Sequence, residues 1–269
     1  GGTPYSFSNQ LDITYQIIEL GSIDHNALLK EDELAGPNVP YRFGFTHEVN
    51  FNPENAGIWV DTPDGGMLWQ SSFTSEGAFA MSFEMDNFHV PNGGKLFVYT
   101  PEHEMIFGAY TALNNSDSGI FSTPLIKGDM VIIEYYQPVN VRDKFSLNIN
   151  GIIHDYRDIQ NYFYESSGGC GTDVVCPDAD WYDDPIAATA YLVHSGAYCT
   201  GVMLNNVNQD LTPYFLTDST CVASGNPSEY RFYFNYESTS CDQSEGGQGT
   251  YAYGAQLIQT YSGGGMSAL

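Results

Sequence analysis

Six histidines, His25, His47, His89, His103, His154 and His194, are the side chains best suited to moving protons near neutral pH. His47 precedes Glu48, and His103 lies between Glu102 and Glu104, combinations that resemble metal ligands. Neither has the i, i+4 helical pair that would set two imidazoles on one face. His194 falls on an expected strand, where a ring serves packing rather than chemistry. Asp178, Asp180, Asp183 and Asp184 gather oxygen ligands in one short stretch, which suits calcium, but the glycine and terminal glutamate of an EF-hand loop are missing. A solvated acidic loop is the plainer reading, and apart from calcium at this cluster no cofactor is expected. Ser219 and Ser262 offer hydroxyls, yet neither stands in the Gly-Asp-Ser-Gly type of turn that builds an oxyanion hole.

The five cysteines, Cys170, Cys176, Cys199, Cys221 and Cys241, all lie at or beyond position 170 and lack the paired short spacings of a zinc ribbon. They read as disulfides of one C-terminal domain, with one cysteine left over. Disulfides persist in oxidising compartments, so a secreted or cell-surface protein is expected. With 33 acidic against 8 basic residues the net charge is −25, a field that repels phosphate backbones and anionic leaflets alike. Nucleic acid and membrane insertion are therefore excluded as partners; no run approaches the roughly 18 apolar residues of a membrane span. The start, Gly1-Gly2-Thr3-Pro4, has no basic or apolar leader and reads as a chain trimmed of its signal peptide.

The 269 residues, 42% of them hydrophobic, suffice for two domains with cores of their own. Residues 1–42 read as an N-terminal arm, with an amphipathic stretch Ile13 to Leu20 and a short helix within Asp24 to Glu33. From Phe43 the pattern becomes short β-like runs cut by turn residues. Ala78 to Phe83 alternates large and small, Lys95 to Tyr99 stops at Pro101, and Lys127-Gly128-Asp129 turns into Met130 to Tyr136. About eight strands with almost no helical period predict an all-β fold: an antiparallel β-sandwich or jelly roll over 43–157. A linker is expected at 158–169. Further strands at Ala187 to His194, Cys199 to Asn205, Tyr214 to Thr217, Glu229 to Tyr236 and Ala252 to Tyr261 amount to one barrel over 170–269.

The segment Gly169-Cys170-Gly171-Thr172-Asp173-Val174-Val175-Cys176-Pro177 resembles the mature start of bacterial lysyl endopeptidases, serine proteases of the trypsin-like fold. The resemblance continues through Tyr198-Cys199-Thr200-Gly201, Asn205-Asn206, Tyr214 to Thr217 and Phe232 to Tyr236 as far as Cys241. Upstream, Val90-Pro91-Asn92-Gly93-Gly94-Lys95-Leu96-Phe97-Val98-Tyr99 and Lys127-Gly128-Asp129 resemble the β-rich propeptide of such precursors, particularly those of Bacteroidetes. The resemblance implies disulfides Cys199–Cys221 and Cys176–Cys241. It also implies that Cys170 pairs with a second barrel that lies outside this chain.

In that family a histidine immediately precedes the cysteine matched by Cys221; here Thr217-Asp218-Ser219-Thr220-Cys221 puts Thr220 in its place. A threonine hydroxyl cannot act as a general base near pH 7. Extending the match puts Gly265 where the family carries the triad aspartate, and the serine belongs to the second barrel. The implied protein is a secreted, catalytically inactive protease homologue acting as a binding or surface-assembly protein. Its partner would be another protein or the missing C-terminal half. The alternatives are a fragment of a lysyl- or arginyl-specific endopeptidase precursor, and a carbohydrate- or partner-binding sandwich, which exposure of Trp59 and Trp69 would favour. Asp218-Ser219-Thr220 further resembles the short O-glycosylation acceptor of Bacteroidetes, with Ser219 as the acceptor.

Overall fold

The computed structural model describes residues 2–269 except 12, 14–15, 37–38, 160–173, 224–225, 239, 242–249 and 262–265. Its strands, in chain order, are β1 (Ile17–Glu19), β2 (Tyr41–Arg42), β3 (Gly44–Phe51), β4 (Ile58–Asp61), β5 (Met67–Thr74), β6 (Ala80–His89), β7 (Lys95–Tyr99), β8 (Ile106–Tyr110), β9 (Phe121–Ser122) and β10 (Ile126–Lys127). They continue with β11 (Met130–Gln137), β12 (Ser146–Asp155), β13 (Thr189–His194), β14 (Ala197–Leu204), β15 (Tyr214–Asp218), β16 (Arg231–Phe234), β17 (Thr250–Tyr253), β18 (Gln259–Tyr261) and β19 (Met266–Ala268). The described α-helices are α1 (Tyr5–Ser8), α2 (His25–Ala35) and α3 (Asp183–Ala188). The fold is predominantly β, as the short alternating runs predict.

The chain divides into two compact units, Gly1–His25 with Phe45–Tyr156, and Asn26–Gly44 with Arg157–Leu269. The residues expected to form an N-terminal arm are thus shared between the units, for reasons visible in the pairing. In unit 1, β1 adds to β5 in parallel, with Ile17 opposite Ser72. In unit 2, β2 pairs with β14, and Arg42 and Arg157 both bind the Asp32 carboxylate, at 2.7 and 2.6 Å. Of the expected linker 158–169, residues 160 onward lie outside the described residues.

Unit 1 holds two sheets. One has the order β1-β5-β11-β7-β8 with β4 on β5; the other has β10-β6-β12-β3 with β9 on β6. The central strands explain its stability: β5 and β11 are buried along most of their length, and Leu68, Trp69, Phe73, Val131, Ile133 and Tyr135 are wholly or almost wholly inaccessible. Each such large apolar side chain contributes about 1.5–3 kcal/mol on burial. Rings from the two sheets meet at a tilt of 60°, Phe73 of β5 lying 5.4 Å from Phe83 of β6.

Unit 2 is one sheet, β17-β16-β13-β14-β15-β19-β18 with β2 on β14. Among the described pairings it runs as an open path, whereas the sequence pattern suggests a barrel. The hairpin β13–β14 turns through Ser195 and Gly196, both with positive φ, 43° and 74°, the conformation a two-residue hairpin loop demands. A Cβ on Gly196 would meet the Gly44 carbonyl oxygen at 2.5 Å, so glycine is required there on two counts. One face of the sheet forms a core of Ala190, Leu192, Phe215, Cys221, Val222, Tyr230, Phe232 and Leu269. Strand β19, which no sequence signal announces, completes it: Leu269 exchanges backbone hydrogen bonds with Phe215 at 2.8 and 2.9 Å.

Candidate functional site

Strand β15 alternates inward and outward, so Phe215 and Thr217 are buried and Asp218 emerges exposed at its end. Asp218 then caps a single 3₁₀ turn, Ser219–Cys221, in the manner short acidic residues cap helix starts. Its Oδ1 accepts from the Thr220 backbone N–H and from the Thr220 hydroxyl, each at 2.8 Å. Those two bonds, the backbone one foremost, hold the Asp218 carboxyl below its ordinary range. Thr220 is consequently a committed donor to an anion, the reverse of what a proton-accepting base requires. Ser219 is partly exposed on the same turn.

The next residue, Cys221, anchors the turn to the core through a disulfide to Cys199 of β14; Cys176 is likewise bonded to Cys241. These are the two pairs that the family resemblance implies. The Cys221 carbonyl accepts a hydrogen bond from the Tyr230 hydroxyl at 3.1 Å, and burial pushes the Tyr230 phenol up to about 12. His194 stacks on Tyr230 with ring centres 4.5 Å apart. Burial holds its pKa down to about 4, so the imidazole is neutral at pH 7 and packs, as its strand position predicts. Among the described residues no imidazole is hydrogen-bonded to Asp218, Ser219 or Thr220. Gly265, Ser262 and Cys170 lie outside the described residues.

The acidic cluster is only partly visible. Asp178 and Asp180 belong to a 3₁₀ segment, Pro177–Tyr182, while Asp183 and Asp184 are exposed in the first turn of α3. Among the described residues no group of three or more histidine, cysteine or acidic side chains is arranged to hold a metal ion.

Two constellations were invisible to sequence reasoning because they join distant positions. In unit 1, His25 Nε2 meets His154 Nε2 at 2.7 Å, His154 Nδ1 meets Ser75 Oγ at 2.7 Å, and Ser75 Oγ meets His47 Nε2 at 3.2 Å. The side chains His25–His154–Ser75–His47 form one hydrogen-bonded chain, in which Ser75 and His154 are wholly buried. In unit 2, the face of the sheet opposite the core carries Tyr191 stacked on Tyr233 at 4.8 Å, with Tyr236 edge-on at 5.1 Å. These rings, with Tyr198 and Ile186, line a cavity of about 400 Å³. Burial raises the Tyr191 phenol well above its ordinary value, so it stays protonated.

Residues 164–266 match the family model of the lysyl endopeptidase C-terminal domain. A lysyl endopeptidase of Pseudomonas aeruginosa is 26% identical over 182 residues, covering 61% of this chain and 39% of that protein. The likeness to that endopeptidase is longer than the stretch 164–266, so it reaches beyond the segment matched by the family model. The chain spans about two fifths of that relative's length. Among solved structures, an isomalto-dextranase of Arthrobacter globiformis T6 complexed with panose aligns over 36% of this chain and 18% of its own, at 11% identity and a TM-score of 0.18. A family 6 carbohydrate-binding module aligns over 45% of this chain and 98% of its own, at 15% identity and a TM-score of 0.21. At these scores neither likeness bears on fold or function.

Proposed function

We propose that this chain is a secreted, non-catalytic relative of the lysyl endopeptidases that works by binding or by building a surface assembly. One observation carries the reading: the residue before Cys221 is Thr220, whose hydroxyl and amide are both spent on Asp218. A triad needs at that place a nitrogen base that takes the nucleophile's proton and returns it to the leaving group. The disulfides Cys176–Cys241 and Cys199–Cys221 support an oxidising, extracellular setting. No helix among the described residues is long and apolar enough to cross a membrane. The chain is expected to leave lysyl and arginyl peptide substrates uncleaved and to take up no serine-reactive fluorophosphonate. Cleavage accompanied by labelling would overturn the reading.

A second reading rests on the 39% coverage of the Pseudomonas relative. In it the serine-bearing barrel comes from elsewhere, and this chain supplies the first half of a precursor. The same assay, repeated with the longest product of the gene, separates the two. Activity that appears only there supports the precursor reading and requires a base other than Thr220.

A further inference from the structure

Unit 1 carries a groove of about 670 Å³ walled by residues of both its sheets, within the size range of small-ligand sites. Two tryptophans lie opposite each other in the β4–β5 register, and their environments differ. Trp69 is fully buried in the core with its Nε1 donating to the Ala56 carbonyl at 2.9 Å, whereas Trp59 is 37% exposed and lines the groove. The Trp59 ring is held, not loose. Its Nε1 donates to the Pro53 carbonyl at 3.3 Å, and it meets Tyr135 and Phe145 nearly at right angles, rings that are themselves stacked 3.6 Å apart.

The other wall is built by an irregularity. The pairing of β12 with β6 slips between Ser146 and Asn148, and Asn87 takes a left-handed conformation with φ 49°. Ser146 Oγ pins that backbone by donating to the Asn87 carbonyl at 2.8 Å. Bulges and left-handed non-glycine residues cost energy and re-aim side chains, and they concentrate beside binding sites. Here Asn87 and Asn148 both line the groove, and the buried Asn148 Oδ1 has no hydrogen-bond partner among the described residues. Asn50 adds a further carboxamide, Gln137 lines the groove with its own carboxamide held by the Tyr135 hydroxyl at 3.3 Å and the Val141 carbonyl at 3.5 Å, and Arg142 adds an exposed guanidinium that makes no ion pair among the described residues.

We propose that this groove binds an oligosaccharide, with one pyranose ring lying against Trp59 and its hydroxyls bonded by the surrounding carboxamides. The C–H face of a pyranose is weakly positive and complements the negative face of an indole. A carboxamide both donates and accepts, as a sugar hydroxyl does; the Asn50 side chain makes no hydrogen bond among the described residues, while Asn87 and Asn148, whose Nδ2 atoms donate to Asp86, offer their oxygens to sugar hydroxyls. Ligands dense in phosphate fit poorly, because Lys144 is tied to Glu54 at 2.9 Å and Arg142 is left as the single cation of the described lining outside an ion pair. Arg142 extends recognition to the carboxylate of a hexuronate. The inference concerns unit 1 alone and does not depend on the outcome of the peptidase assay.

The test is affinity electrophoresis of the full chain through gels containing β-glucan, α-glucan, mannan, xylan or polygalacturonate, followed by calorimetry with oligosaccharides from any polymer that retards it. The expected result is retardation by at least one polymer, at least tenfold weaker binding for Trp59→Ala, and severalfold weaker binding for Asn148→Ala. Trp59→Phe, which keeps an aromatic face, retains part of the affinity; Trp181→Ala, removing the 90%-exposed tryptophan of unit 2, leaves it unchanged. Should Trp59→Ala misfold by circular dichroism, Trp59→Phe and Asn148→Ala decide the matter. Arg142→Gln weakens retention on polygalacturonate and on no neutral polymer. Absence of retardation on all five polymers, or undiminished binding by a folded Trp59→Ala variant, overturns the proposal.

Discussion

His154 shows how one buried ring sets the acid response of a whole unit. Burial, reinforced by His25 and His47 beside it and opposed by Asp129, lowers its pKa to about 4, and burial lowers His47 as well. Because the unfolded chain takes up this proton near pH 6.5 and the folded one only near 4, the unfolded state binds more protons in between. Stability is therefore complete above about pH 6.5 and falls as the pH drops toward 4, by up to about 3 kcal/mol for His154 alone. His154→Asn, which keeps a hydrogen-bonding partner for Ser75 but does not titrate, is expected to flatten this loss. Denaturant midpoints at pH 7 and pH 5 measure it, read from Trp59 and Trp69 fluorescence in a Trp181→Phe background. An equal drop in both proteins would remove His154 as the cause. None of this was legible in the sequence, because positions 25, 47, 75 and 154 become neighbours only through tertiary packing.

Among the elements, α1 is held by what it touches. Four residues are too few for a helix to persist on its own. Ser6 inserts instead against Glu134, a fully buried carboxylate in the middle of β11. Glu134 accepts from the Ser6 amide at 3.1 Å, from the Ser6 hydroxyl, from Gln70 Nε2 at 3.2 Å and from the Tyr99 hydroxyl at 2.8 Å. Tyr5 adds a stack on Tyr136 at 4.0 Å. Glu134→Ala would leave these buried donors without their acceptor, at a cost of about 3 kcal/mol, and Glu134→Gln, which keeps an acceptor, should cost about half that. Ser6→Ala should speed amide exchange at Ser8 and Asn9 without altering exchange in β11. Unchanged exchange at Ser8 and Asn9 would show that Glu134 does not anchor the helix. The sequence marks Ile133-Glu134 as part of an expected strand and of the propeptide resemblance; that a buried carboxyl sits there because four donors converge on it is a fact of packing.

For the molecule as a whole, the cysteines separate the two units in their response to reductant. Unit 1 contains no cysteine, while unit 2 holds bridges spanning 65 and 22 residues. Loop-closure entropy makes the longer bridge worth about 4 kcal/mol and the shorter about 3. Reduction, or the paired substitutions Cys176→Ser with Cys241→Ser, is therefore expected to lower the unfolding midpoint seen by Trp181 and to leave that seen by Trp59 and Trp69 in place. A common shift of both signals would mean that the units unfold together. By itself the sequence determined the β class, strands β13 to β16 of unit 2, the cysteine-bearing half and the threonine before Cys221, since alternation, turn residues and residue identity are local properties. Only the tertiary structure decided that residues 1–42 are shared between the units, that β19 closes onto β15, that Trp59 is presented while Trp69 is buried, and that His47 and His154 meet at Ser75 with His25 joined to His154. Those outcomes depend on which distant segments pair, and pairing is chosen by the burial of whole faces rather than by any residue's neighbours in the chain.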